Sequence, residues 1–320
     1  LYFMRAKILL AGFYNKQILK LKKKFKLLEF FEYGKKIKDI KKIDGFVSIT
    51  RRSFEKFYYK DFKKYESTLT WMHIGAAGVD KYFNKKILNK KLVVTNGKII
   101  QGPQVADHAF ALLLALTRNL NLIIKHGLEY KFDRRPIELK GKSALIVGYG
   151  GVGRCVAERA HGFGMNVDVV NYKYSPISNI IRNFYLSEDY NKALIDKDVV
   201  FYTLPLTKKT NKLFNSGTIK YIKKGAFIIN VCRGEIVCLK TLQKYLKNNY
   251  LGGAGLDVLD GEPINRNNKL LRLKNLVISP HLAGISDGLA ERNIKLIEDN
   301  LRRFSSKSKL LNKVDPKEGF

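Results

Sequence analysis

The sequence predicts an α/β protein made of two doubly wound parallel-sheet domains, and three observations lead there. Short apolar runs of strand length alternate with lysine-rich or amphipathic stretches of helix length along the whole chain, the order that parallel strands joined by helical crossovers require. One long apolar helix pattern, Val105 to Ile124, interrupts this alternation, which restarts at Ser143. Between a strand and a helix pattern stands a glycine-rich turn, Gly148-Tyr149-Gly150-Gly151-Val152-Gly153. A chain of 320 residues is long enough for two such units, each with its own core.

In chain order, Ala6–Leu10, Gly45–Ile49, Trp71–Ile74 and Lys91–Thr95 read as buried strands of the first unit. From Val105 to Ile124 the apolar residues Ala106, Ala109, Phe110, Leu113, Leu114 and Leu116 cover most helix faces. A helix apolar nearly all round is buried, between domains or between subunits. The second unit then offers six strands, at Ser143–Val147, Val167–Val170, Val199–Thr203, Ala226–Ile229, Gly253–Leu256 and Leu276–Ser279. A final helix from about Gly288 to Phe304 is expected to return to the first unit. The predicted domains are therefore 1–100 with 286–320, and 101–285.

Composition narrows the function classes. With 45% hydrophobic and 12% aromatic residues the chain is that of a globular protein. Its longest apolar run, Ala109–Leu116, is too short to span a bilayer. Leu1–Tyr14 lacks the apolar stretch and cleavage site of a secretory leader, and Leu1-Tyr2-Phe3 before Met4 has the texture of a tag remnant. The three cysteines, Cys155, Cys232 and Cys238, lack metal-ligand spacing, so neither a disulfide framework nor a metal is expected. A reducing cytoplasm or an organelle matrix fits. The formal charge of +32 invites a nucleic-acid reading. The lysines, however, are scattered; Lys20-Leu21-Lys22-Lys23-Lys24 alternates with core-type residues as a solvated helix face does. Nucleic acid and membrane are not expected partners.

The glycine turn has the context that gives such a motif meaning: a strand, Ala144–Val147, before it and an amphipathic helix, Val152–Phe163, after it. Gly148 permits the tight turn, Gly150 lets a pyrophosphate approach the backbone, and Gly153 lets helix and strand pack closely. The free amides at the helix start, from Gly151 and Val152 onward, favour an anion. This unit is read as a Rossmann dinucleotide-binding domain. An acidic residue at the end of the next strand would bond the ribose hydroxyls and repel a 2′-phosphate. That position is Asn171, neutral, with Lys173 two residues on. The expected cofactor is NAD or NADP, with NADP tolerated or preferred; Lys173 also reads as one more surface lysine. Asp168 comes too early in the strand to reach a ribose.

Downstream lie a cation, a carboxylate and an imidazole: Arg233 in Asn230-Val231-Cys232-Arg233-Gly234, Glu262 in Asp260-Gly261-Glu262-Pro263, and His281 in Ser279-Pro280-His281. These are the parts needed to hold a 2-oxo acid and protonate its carbonyl. Together with Leu204-Pro205-Leu206-Thr207 and Thr210, Leu256-Asp257-Val258, His281-Leu282-Ala283-Gly284, Ala77-Gly78-Val79-Asp80 and Val105-Ala106-Asp107-His108, they resemble, in order and over nearly the whole chain, the D-isomer-specific 2-hydroxyacid dehydrogenase family. Asp107, where that family usually has Glu, and Asn171 are departures.

The resemblance implies a flavodoxin-like substrate domain carrying the inserted Rossmann domain. It implies reversible hydride transfer between a nicotinamide cofactor and a 2-oxo acid. His281 becomes the acid and base, since an imidazole pKa of about 6.5 suits proton exchange near neutrality. Glu262 would favour the protonated imidazole, and Arg233 would grip the substrate carboxylate or polarise the carbonyl. Backbone amides of Ala77 and Gly78 would complete the carboxylate site. Asp257 would orient the nicotinamide amide, while Leu204, Pro205, Thr210, Val231 and Cys232 would lie along the cofactor. Cys232 is otherwise read as a small buried residue. Among the remaining histidines, His73 reads as the one nearest the chemistry, and a structural role is expected even there.

Hydroxypyruvate or glyoxylate is the expected substrate. Arg51, after the Gly45–Thr50 segment, keeps 3-phosphoglycerate open, since family members using it hold a phosphate-gripping arginine near there. A dehydrogenase-fold corepressor that binds partner proteins is the alternative from another class. A homodimer is expected, with the Val105–Ile124 helix as its interface.

Overall fold

The computed structural model describes residues 6–35, 40–79, 82, 92–127, 135–176, 178–265 and 267–315. Lys91, Asp80 and Leu1-Tyr2-Phe3 lie outside them. The chain divides into two compact units, Leu1–Ile100 with Ser286–Phe320, and Gln101–Ile285.

In the first unit five parallel strands, β1 (Ala6–Ala11), β2 (Leu28–Glu32), β3 (Gly45–Ser48), β4 (Trp71–Ile74) and β5 (Val93–Asn96), form a sheet of order β2-β1-β3-β4-β5. This is the flavodoxin-like order. Four of the strands announce themselves by apolar runs. β2 does not, and the four-strand reading is corrected by it: at the sheet edge it buries Leu28 and Phe30 and exposes Glu29, as a half-covered strand should.

Helix α1 (Asn15–Lys24) buries Ile18 and Leu21 and ends in Lys22, Lys23 and Lys24, so its lysines are a solvated face that also complements the helix dipole. Helix α2 (Arg51–Lys60) starts at Thr50, whose side chain accepts the Ser53 amide, a cap worth about 1 kcal/mol. It buries Phe54 and Phe57; Phe57 stacks on Phe46 of β3 with centroids 3.8 Å apart. A short helix α3 (Phe62–Tyr65) follows. The C-terminal helix, numbered α9 below (Leu289–Ser305), buries Ile297 and Leu301 in the same core as Ile8, Val47 and Trp71. The chain thus closes the first unit with its last helix.

The second unit is a seven-stranded parallel sheet: β6 (Ser143–Val147), β7 (Asn166–Asn171), β8 (Ile181–Leu186), β9 (Val199–Tyr202), β10 (Phe227–Asn230), β11 (Gly253–Leu256) and β12 (Leu276–Ile278), in the order β12-β11-β10-β9-β6-β7-β8. The reversal of order at β6 is the switch point of a Rossmann sheet. The six-strand expectation lacked β8. That edge strand carries Arg182 and Asn183, which bind the buried Asp168 of β7, so its polar residues hide it from an apolar-run criterion.

The single helix expected over Val105–Ile124 is two: α4 (Gly102–Thr117) and α5 (Leu120–His126), broken at Asn119 in the left-handed region (φ 58°), a conformation asparagine tolerates better than most residues. Ala106, Ala109, Phe110, Leu113 and Leu116 of α4 lie in the core of the second unit with α6 (Gly151–Gly162) and β10. Their burial needs no second subunit. Two further α-helices of the second unit are α7 (Tyr190–Ala193) and α8 (Leu239–Lys247).

Candidate active site

Parallel pairing places one row of residues in register across the second sheet: Val147 opposite Tyr202, Tyr202 opposite Asn230, Asn230 opposite Leu256, and Leu256 opposite Ile278. The glycine turn, the Leu204-Pro205 loop, the Arg233 turn, the Glu262 loop and the His281 turn all follow directly from this row. Strands of equal phase therefore gather residues spread over more than a hundred positions at one edge, where ligands bind in doubly wound sheets.

The glycine turn fits a dinucleotide phosphate. Gly148 has φ +100°, and a Cβ there would meet Leu204 at 2.8 Å. A Cβ on Gly153 would lie 1.9 Å from the Gly148 carbonyl oxygen, so strand and helix touch through it. Gly150, by contrast, opens onto space with nothing within 4 Å of its missing Cβ. It caps α6 without any side-chain bond to the first-turn amides, which include those of Gly151 and Val152. Open space before an uncapped helix start is a cradle for an anion. The Leu204-Pro205 loop is fixed by Thr210, whose hydroxyl donates to the Pro205 carbonyl (2.7 Å) and accepts the Thr207 amide (2.7 Å).

Asn171 ends β7, accepts the Tyr149 amide at 3.4 Å and donates to the Lys173 carbonyl at 3.0 Å. The Lys173 ammonium lies over the Tyr172 ring at 5.0 Å. Arg154, overlooked in the sequence, adds a cation on this side: its guanidinium sits 4.5 Å over the Tyr149 ring and donates to the Ser175 hydroxyl at 2.6 Å. Asp168 is fully buried and faces β8 instead, binding Arg182 (2.9 Å), Lys197 (2.5 Å) and Asn183 (3.0 Å). Burial would raise its pKa, but the hydrogen bonds from Arg182 and Lys197 outweigh that and hold it below the ordinary value.

Arg233 leaves a turn shaped by the buried Asn230, which donates to the Arg233 carbonyl (2.8 Å) and accepts the Cys232 amide (3.2 Å). Gly234 then packs against Leu259 and Asp260, with no room for a Cβ (2.0 Å to the Leu259 carbonyl carbon). This contact seats the Arg233 turn on the loop that carries Glu262. Glu262 takes the Leu259 amide on Oε1 (2.7 Å) and meets His281 Nδ1 with Oε2 (2.8 Å). The carboxylate can only accept, so Nδ1 carries the proton and Nε2 is left for another partner. Val231 is buried, and burial pushes the Cys232 thiol up to about 11, leaving it protonated and donating to Asn230 Oδ1.

Asp257 is committed to the His281 turn. Its Oδ1 accepts the Ser279 hydroxyl (2.7 Å) and the Leu282 amide (3.0 Å), its Oδ2 the Ala283 amide (3.0 Å), and its backbone carbonyl the His281 amide (2.9 Å). Burial alone would raise this carboxyl; these donors and His108 keep it below the ordinary value. His108, not His73, is the second histidine at this edge: its Nε2 is 2.7 Å from Ser279 Oγ. His73 is buried in the first unit, bonded to Thr95. What the sequence did offer was spacing: Gln104, which donates to the Gly284 carbonyl, and His108 stand four apart on one face of α4.

In the first unit, Ala77 and Gly78 lie in a partly exposed turn after β4, with the Ala77 carbonyl held by buried Asn96 (2.7 Å). Arg51 Nε donates to Glu55 (3.1 Å) and to the Tyr82 hydroxyl (2.7 Å), so its charge is already paired. Among the described residues, no group of three or more His, Cys, Asp or Glu could hold a metal ion, and no helix is long and apolar enough to cross a membrane.

Residues 110–283 match the family model for the NAD-binding domain of D-isomer specific 2-hydroxyacid dehydrogenases. The glyoxylate reductase of Thermococcus kodakarensis is 33% identical over 72% of this chain and 72% of its own length. That of Pyrococcus horikoshii is 29% identical over 84% of this chain and 81% of its own. Among solved structures, a D-isomer specific 2-hydroxyacid dehydrogenase family protein from Aeromonas salmonicida superposes with a TM-score of 0.78 at 26% identity, covering 98% of this chain and 99% of that one.

Proposed function

Since the chain belongs to the D-isomer specific 2-hydroxyacid dehydrogenase family, we propose that it reduces glyoxylate or hydroxypyruvate to the corresponding 2-hydroxy acid with NADPH or NADH. The observation that carries this reading is the His281–Glu262 contact at 2.8 Å, on the same strand edge as the glycine cradle. The nicotinamide, when bound, supplies the hydride that reaches C2 of the 2-oxo acid. Arg233 grips the substrate carboxylate or polarises its carbonyl through paired N–H donors. His281, its Nδ1 proton held by Glu262, gives a proton from Nε2 to the carbonyl oxygen; in oxidation the same nitrogen takes the hydroxyl proton. Glu262 fixes the ring and stabilises the imidazolium. Ala77 and Gly78 offer backbone amides for the carboxylate. Paired Arg51 and the glyoxylate reductase relatives weigh against 3-phosphoglycerate.

Neutral Asn171, with Arg154 and Lys173 near it and no carboxylate at the strand end, supports a preference for NADPH. In the cytoplasm the enzyme works as a homodimer, for which α5 leaves Leu120 and Ile124 exposed; light scattering measures that state. A screen of glyoxylate, hydroxypyruvate, pyruvate and other 2-oxo acids, plus 3-phosphoglycerate oxidation, each with both cofactors, tests the assignment. The expected result is highest kcat/KM for glyoxylate or hydroxypyruvate with NADPH. Tight dinucleotide binding without turnover of any acid would instead favour a corepressor-like, partner-binding role.

A further inference from the structure

The turn that carries His281 is built from the far side by α4, and the order of its hydrogen bonds can be deduced. Asp257 Oδ1 accepts from Ser279 Oγ at 2.7 Å, and an ionised carboxylate has no proton to return. The single Ser279 hydroxyl proton therefore points at Asp257. Ser279 Oγ lies 2.7 Å from His108 Nε2, and with its own proton committed it can only accept there. His108 must carry a proton on Nε2, and that N–H also faces Asp257 Oδ1 directly at 3.4 Å. Asp257 then receives the Leu282 and Ala283 amides directly after His281, which is itself in the left-handed region with φ +53°, uncommon for residues other than glycine. One helical turn before His108, Gln104 donates to the Gly284 carbonyl at 3.1 Å.

We propose that His108 is a positioning residue for the reaction: it donates to Ser279, which donates to Asp257, and this directed chain sets the backbone from which the His281 imidazole meets Glu262. Neither His108 nor Ser279 is among the groups assigned to substrate or cofactor. The inference rests on the reading of His281 as the acid, and its test separates the two. In the full-length protein without substrate, side-chain nitrogen NMR of His108 should find a hydrogen-bonded proton on Nε2; a ring protonated on Nδ1 alone overturns the chain of bonds, whether or not the protein turns over any acid. In steady state, His108→Leu and Ser279→Ala should each lower kcat about ten- to a hundredfold, with dinucleotide Kd and melting temperature nearly unchanged. His108→Gln, whose amide can donate to Ser279, should recover most of the loss. Full kcat in His108→Leu, or a loss in His108→Gln as large as in His108→Leu, overturns the positioning role. If instead no acid is reduced by the wild type, the proposed function fails while the NMR result still decides the hydrogen-bond chain.

Discussion

His73 and His281 are the same side chain in opposite settings, and the contrast separates packing inside one unit from the proposed work on substrate. His73 is wholly buried in β4 of the first unit, where Nδ1 meets a Thr95 hydroxyl that also accepts the Trp71 indole. Burial lowers its pKa to about 4, against a small upward pull from Asn293. His281 stands half exposed at a strand end, on a carboxylate. The first is a neutral packing element; the second is accessible and has a nitrogen to offer. The same division runs between cations of the second unit. Lys197 and Arg182 pair with the buried Asp168, whereas half-buried Arg233 follows a strand end and donates to the Cys232 carbonyl.

If that division is right, changes at the rim alter turnover and changes inside alter stability. The largest effect is expected at the rim. Arg233→Leu should lower kcat/KM about a thousandfold with little change in thermal unfolding; a modest loss of activity with a large drop in melting temperature would blur the contrast. Next comes Lys197→Met, which leaves the buried Asp168 with half-exposed Arg182 and neutral Asn183 as its partners. Breaking a buried pair in this way costs about 3–5 kcal/mol, read by urea titration, with kcat per folded molecule unchanged.

The smallest is the acid response of the first unit. Because the folded-state pKa of His73, about 4, lies below its ordinary value of 6.5, the unfolded chain takes up the proton first as pH falls. Stability from this group is complete above about pH 6.5 and is lost between there and about pH 4. At about 1.4 kcal/mol for each pH unit separating the two values, this amounts to at most roughly 3.5 kcal/mol. A His73→Gln variant should show a flatter decline over that window, and an unchanged slope would mean that His73 is not the group responsible.

The sequence made some of this division legible and hid the rest, for physical reasons. Central strands buried on both faces are continuous apolar runs, so β1, β6, β9 and β10 stand out. Edge strands β2 and β8 carry Glu29, Arg182 and Asn183 because one side of each is unpaired, and they do not. The break at Asn119 was hidden because no proline or glycine marks it. Arg233, Glu262 and His281 could be picked out because each sits in a short motif after an apolar run. Ser279 lay inside one of those motifs, yet its bond to His108, 171 positions away, depends on how α4 packs on the sheet. Local pattern carries no record of such a pairing. Arg154 was missed for a similar reason, since its bond to Ser175 joins a helix to a loop.

The most direct test of the account is His281→Ala, assayed for glyoxylate and hydroxypyruvate reduction alongside a fluorescence titration of NADPH. Turnover should fall by about two to four orders of magnitude while the dinucleotide binds as tightly as to the wild type. A variant that reduces either acid at the wild-type rate would contradict the central claim that this imidazole is the proton donor.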